Sequence, residues 1–252
     1  VGVVLALLTT AAFAAPTLTV QPGWKIVGVA VATSSSRGVP PRTVARALDR
    51  ARKKIARELP GIRWEIASRV REARYEDDGT GLVEAENPGF ERLVARLAAS
   101  DEELAAADIV FVYAPCPGSA YSGMADLRAH PDGKAPVWYS VVNTEQGPHL
   151  ARRLKLPAAV ASLVDREPVR SLALLATTVH EFGHFLAPGT PDVRAAGDLA
   201  GRIGNGADEP ALHDRRCIMW APEPRSLLSK ALAFPRVLQY CDRCRKRIGC
   251  QP

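Results

Sequence analysis

The chain has 252 residues, 47% hydrophobic, 24% charged and 6% aromatic, a balance that excludes disordered, collagen-like and multi-span membrane classes. At ~100 to 200 residues per domain it forms one large domain or two small ones, with enough chain to bury a core without a metal or disulfide staple. Lys plus Arg number 33 against 27 Asp plus Glu, a net +6, but the two signs alternate along the chain and form no basic stripe suited to nucleic acid.

The first charged residue is Lys25, and the stretch before it is apolar and short, ending in Ala12-Phe13-Ala14. A membrane span wants ~20 apolar residues, so residues 1–15 read as a signal peptide with a small-x-small cleavage site. The expectation is a secreted or periplasmic protein with no stable membrane insertion after signal removal, or a cytoplasmic one if the segment is retained. Oligomeric state is not legible.

Residues 25–33 alternate as a strand does, and Pro40-Pro41 closes the loop that follows. From Arg42 to Leu59, Val44, Leu48, Ala51, Ile55 and Ala56 recur at helical spacing until Pro60-Gly61 stops the run. Residues 62–70 alternate again, Phe90, Leu93, Val94 and Leu97 predict a helix, and Ile109–Tyr113 and Val137–Val142 predict strands around a Pro/Gly/Ser loop. The predicted order is thus β-α-β-(α)-β-β, an α/β (α+β) class without internal repeats.

Val169 to Leu186 is apolar on nearly every side and ends at Pro188-Gly189, which predicts a buried helix. Residues 188–210, dense in Gly and Pro, predict a loop; Leu227, Leu228, Ala231 and Leu232 predict a further helix. The basic run Arg243, Arg245, Lys246 and Arg247 reads as a solvated face.

The buried helix contains His180-Glu181-Phe182-Gly183-His184, an HExxH. Histidines four residues apart share one helix face, so both imidazoles reach one Zn²⁺ while Glu181 lies beside it to hold a water. Zinc lowers the pKa of such a water to about 7, and the glutamate takes its proton as it attacks a polarised carbonyl. Burying two histidines and a glutamate without a ligand would cost several kcal/mol, which favours a metal over satisfied core histidines. A catalytic zinc needs a third ligand, and Asp192 and His213 are the candidates. His130 and His149 fall in predicted loops and read as surface residues. Cys116 stands alone, whereas Cys217, Cys241, Cys244 and Cys250 crowd the C-terminal end, where either disulfides or a metal would suit them.

The HExxH is followed in order by His213, Cys217-Ile218-Met219 and Cys241-x-x-Cys244, and the set resembles the archaemetzincins. These are zinc metallopeptidases of the metzincin clan with HExxHxxGxxHC, a Cys-x-Met at the Met-turn, a CxxC and a second zinc held by four cysteines. The resemblance implies a metzincin-like mixed twisted sheet, an active-site helix and a C-terminal helical, cysteine-rich subdomain. Within a peptidase domain of residues 16–252, residues 25–187 would form the upper sheet and active-site helix, 188–212 an insertion loop, and 213–252 the Met-turn and cysteine-rich part.

The resemblance further implies that His180, His184 and His213 bind the catalytic zinc, that Glu181 is the general base acting on a peptide or protein substrate, and that Met219 forms the Met-turn. Cys217, Cys241 and Cys244 would supply three ligands of a second, structural zinc, with Asp214 or Cys250 as the fourth. The chain departs from the pattern at Ala187, where the family has glycine, at Asp214, where it has cysteine, and in the long stretch between His184 and His213. Gly189-Thr190-Pro191-Asp192 is also similar to part of the aspzincin signature, which would make Asp192 the third ligand. In a further arrangement His213 joins the three cysteines in one structural zinc site. The rival from another class is a non-catalytic binding protein stabilised by zinc or disulfides.

Overall fold

The structure is a computed structural model that describes residues 23–77, 88–117, 119, 122–128, 137–147, 155, 157–163, 165–185, 217–219 and 239–247. Their centre is a mixed sheet whose strands are β1 (Trp24–Ala32), β2 (Trp64–Ile66), β3 (Arg71–Arg74), β4 (Ile109–Ala114), β5 (Gly123–Arg128) and β6 (Val137–Asn143). The order is β2-β1-β4-β6-β5, with β3 pairing β1 farther along the same edge as β2. All pairings are parallel except β5 with β6, where Gly123 lies opposite Val142 and Arg128 opposite Val137.

Two expectations change. The alternation over residues 62–70 shortens to β2, because after Ala67 N–H donates to the Ile26 carbonyl the chain leaves β1, and a second short strand, β3, resumes the pairing beyond it at Arg71. The predicted loop between β4 and β6 contains β5, so with β3 the β-α-β-(α)-β-β order is two strands short. Gly-Met-Ala-Asp-Leu-Arg has no β-branched residue, and its place in the sheet comes from pairing with β6 rather than from propensity.

The central strands are buried on both faces, as parallel sheets require. Their period of two separates the core into two clusters. Ile26, Ala30, Phe111, Tyr113 and Val142 face α1 (Pro41–Glu58), while Val27, Val29, Val31, Val110, Val112 and Val141 face α2 (Pro88–Ser100) and the short α3 (Glu102–Ala105). Pro41 starts α1, and Val44, Ala47, Leu48, Ala51 and Ile55 form its buried stripe. After α4 (Ala158–Ala161) comes α5 (Val169–His184), the predicted buried helix, in the same layer as α1; α6 (Asp242–Arg247) is the last described element. Among the described residues no helix is long and apolar enough to cross a membrane. The predicted segments at 1–15, 188–210 and 227–232 lie outside the described residues, as do His130 and His149.

Asp101 ties the α2–α3 layer to the sheet edge. Its carboxylate caps α3 by accepting from Leu104 N–H at 3.0 Å and receives Arg71 through two nitrogens, at 2.5 and 2.9 Å. Hydrogen bonds from Arg71 hold the Asp101 carboxyl at about 2, below its ordinary 3.8. A depressed folded-state value makes this stabilisation complete above pH 3.8 and lost as pH falls through about 2. Replacement Asp101→Asn is expected to cost about 1 to 2 kcal/mol near neutrality, and in denaturant titrations the difference from wild type should shrink as pH falls from 4 to 2.

Candidate metal centre on the buried helix

Helix α5 is buried continuously from Ala173 to Gly183. Phe182 sets its rotation: its ring meets Trp24 edge-on at 5.4 Å and Trp64 at 4.9 Å, and Phe185 follows against Phe111 at 6.5 Å. Thr178 adds a polar tie, donating to the Leu174 carbonyl at 2.7 Å, so that Tyr113 O–H donates to its oxygen at 2.8 Å. With Phe182 turned into the aromatic cluster, a half-turn separation aims His180 and His184 the other way.

The two imidazoles stand nearly perpendicular, at 84°, and their Nε2 atoms are 3.2 Å apart. The Nδ1 of His180 lies 2.9 Å from the Ile218 carbonyl oxygen, which can only accept, so Nδ1 carries the proton and Nε2 presents a lone pair. Two nitrogens bound to one tetrahedral zinc at about 2.0–2.1 Å are about 3.3 Å apart by geometry, and the observed separation fits that edge. The bond to a backbone carbonyl is also the usual way a metal-binding histidine is oriented.

Glu181 is buried, and burial pushes its carboxyl up to about 8 from an ordinary 4.5. Room for it comes from Gly123, the first residue of β5. A Cβ there would lie 2.6 Å from Glu181 Oε1, 2.7 Å from Thr177 Cγ2 and 2.9 Å from the Val141 carbonyl oxygen. Glu181 therefore sits against the antiparallel edge of the sheet, a position invisible in the motif alone.

Beneath the helix runs Cys217-Ile218-Met219, buried throughout. A Cβ at Gly183 would stand 2.3 Å from Met219 Sδ and 3.0 Å from the Tyr240 ring, so the glycine inside the HExxH is a contact requirement of the methionine below. Tyr240 O–H donates to the Val179 carbonyl at 2.6 Å, and Ile218 N–H to the Gln239 carbonyl at 2.7 Å. Sequence reading picked out Met219 but missed Gly123, Gly183, Ile218 and Tyr240; only the glycine in the motif carried any signal.

Cys217, Cys241 and Cys244 converge with their sulfurs within 4.8 Å of one another, the one such metal-suited group of three found among the described residues. The Cys217–Cys244 and Cys241–Cys244 separations of 3.5 and 3.6 Å exceed an S–S bond, and no disulfide joins these cysteines. They are near the edge of about 3.8 Å that follows from a tetrahedral zinc with Zn–S of about 2.3 Å. Contact with Cys217 and then Cys241, together with burial, pushes the Cys244 thiol far up, so a cation is what would favour its ionised form. Nor is the basic run simply a solvated face, since Arg245 pairs with Glu58 of α1 at 2.6 Å. Cys116 lies elsewhere, buried beyond β4 with its N–H on Asn143. Asp192, His213, Asp214 and Cys250 lie outside the described residues.

No family model, no curated protein and no solved structure matches the chain.

Gly183→Ala gains up to about 1 kcal/mol of helix propensity but overpacks Met219 and Tyr240, which costs about 1–3 kcal/mol. Net destabilisation is expected in denaturant titrations, and it should be reduced in the Gly183→Ala/Met219→Ala background relative to the sum of the single changes.

Proposed function

We propose that the protein is a zinc-dependent peptidase that hydrolyses peptide bonds with a metal-activated water, of the archaemetzincin-like kind that the motif order suggests. The observation that carries this reading is the His180–His184 nitrogen separation of 3.2 Å, at a tetrahedral-zinc edge, beside a buried Glu181. His180, His184 and His213 would hold the ion, which when bound supplies Lewis acidity to polarise the scissile carbonyl and acidify water.

The chain's own residues do the rest. Ile218 holds His180 Nδ1–H, so the Nε2 lone pair stays directed at the site. With a cation beside it to offset the burial that raises its carboxyl, Glu181 would accept the proton from the attacking water and return it to the departing amine. Strand β5 lies at the sheet edge with Gly123 against Glu181. An extended peptide adding to that edge would bring its backbone past the carboxylate, with main-chain hydrogen bonds supplying register.

His213 has a second possible destination, because three cysteines leave one corner of a tetrahedron for it. Were it taken there, Asp192 would be the remaining third ligand for the histidine pair. Elemental analysis of the purified protein separates these cases: His213→Ala should lose the zinc held by the helix pair while Asp192→Ala keeps it, and the reverse result would install the aspartate reading. Glu181→Gln should retain zinc and fold yet lower peptide hydrolysis by ~10²-fold or more, the scale of a lost acid/base group. Full activity in that variant, or a zinc-free protein that still cleaves peptides, contradicts the mechanism; a zinc-loaded protein inactive toward all peptides favours the binding-protein alternative.

A further inference from the structure

We propose that the cysteine cluster sets the metal affinity of the histidine pair, acting through the three-residue segment Cys217–Met219. The inference rests on the reading of His180 and His184 as metal ligands and assigns a control element to that site. Cys217 and Ile218 are neighbours in the chain, so whatever fixes the Cys217 sulfur also fixes the peptide whose carbonyl orients His180 at 2.9 Å. Met219, the next residue, rests against Gly183 one residue before His184. Three consecutive residues thus join the sulfur cluster, the His180 hydrogen bond and the floor of the helix.

The second strut leads to the same place. Cys241 and Cys244 belong to the segment that carries Tyr240, which bonds to Val179, the residue before His180. The two struts meet at the Cys217–Gln239 bridge, the Ile218 N–H bond to Gln239, the 3.4 Å contact of Cys241 N–H with Cys217 Sγ, and the sulfurs themselves. Thiol contacts are weak donors and acceptors, whereas a cation bound by three thiolates clamps them. Occupancy of the cluster therefore changes how firmly the Ile218 carbonyl is held. Loss of such an outer partner lowers metal affinity typically 10–100-fold, and linkage makes the effect reciprocal between the two sites. A cluster that merely stabilised the fold would alter unfolding without moving the affinity of the folded protein.

The test uses the full chain, reduced and metal-free, with Co²⁺ as the probe. Thiolate charge-transfer absorption reports the cysteines, and ligand-field bands that disappear in His184→Ala report the histidine site. In Cys241→Ser/Cys244→Ser the histidine-site dissociation constant is expected to rise about 10–100-fold over that of wild type with its cysteine site filled. Equal constants overturn the coupling and leave the zinc reading intact. Co²⁺ bound only by thiolates in the wild type, with no band sensitive to His184→Ala, overturns both. Should the double variant fail to fold, His184→Ala gives the second readout: one equivalent of Zn²⁺, taken by the cysteines, should slow exchange of the His180 Nδ1 proton with water by NMR. Unchanged exchange rejects the coupling.

Discussion

A helix buried from Ala173 to Gly183 that carries His180 and Glu181 must find a partner for each polar group or lose several kcal/mol apiece. That demand organises the molecule. On one side α5 is locked by apolar contact, Phe182 against Trp24 and Trp64. On the other, elements from far away in sequence meet it: Gly123 of β5 leaves room for Glu181, the Ile218 carbonyl accepts from His180, and Tyr240 donates to the Val179 carbonyl. Propensity favours the first half of the helix, through Leu172 to Ala176, whereas Thr177, Thr178, Val179 and Gly183 in the second half are poor helix formers. Tertiary packing supplies the stability, and the same packing fixes where the imidazoles point.

Close approach recurs as the means of fixing them. Gly123 and Gly183 lie on different elements, yet each leaves space for close neighbours, Glu181 and Thr177 in one case and Met219 and Tyr240 in the other. A Cβ at either position would stand 2.6 Å from Glu181 Oε1 or 2.3 Å from Met219 Sδ, so that the neighbouring side chain would have to shift. In a core at crystal-like density there is nowhere for the displaced atoms to go. The constraint on these glycines is therefore steric rather than conformational.

The sheet contributes orientation and an edge. Parallel β1, β4 and β6 are covered on both faces. Reversal of direction at β5 places an antiparallel strand there, beginning at the residue that touches Glu181. A buried carboxyl beside the histidine pair and the first residue of the antiparallel strand thus meet at Gly123.

How much of this was legible in the sequence depended on whether the signal was local. Alternation gave β1, short apolar runs gave β4 and β6, period 3.6 gave α1, a long apolar run ended by Pro-Gly gave α5, and spacing put His180 and His184 on one face, because these are properties of successive residues. Strand β5 was not legible, since its residues are ordinary and its conformation is imposed by β6. The cysteine spacing suggested either disulfides or metal, and only the folded chain brought Cys217 beside Cys241 and Cys244 as three converging sulfurs without a disulfide bond. The partner of His180, a carbonyl at residue 218, and the space taken by Glu181 beside residue 123 have no sequence motif of their own. Backbone acceptors and empty volumes have no residue signature, so the sequence determined which groups could do chemistry, and tertiary packing decided what would hold them in place.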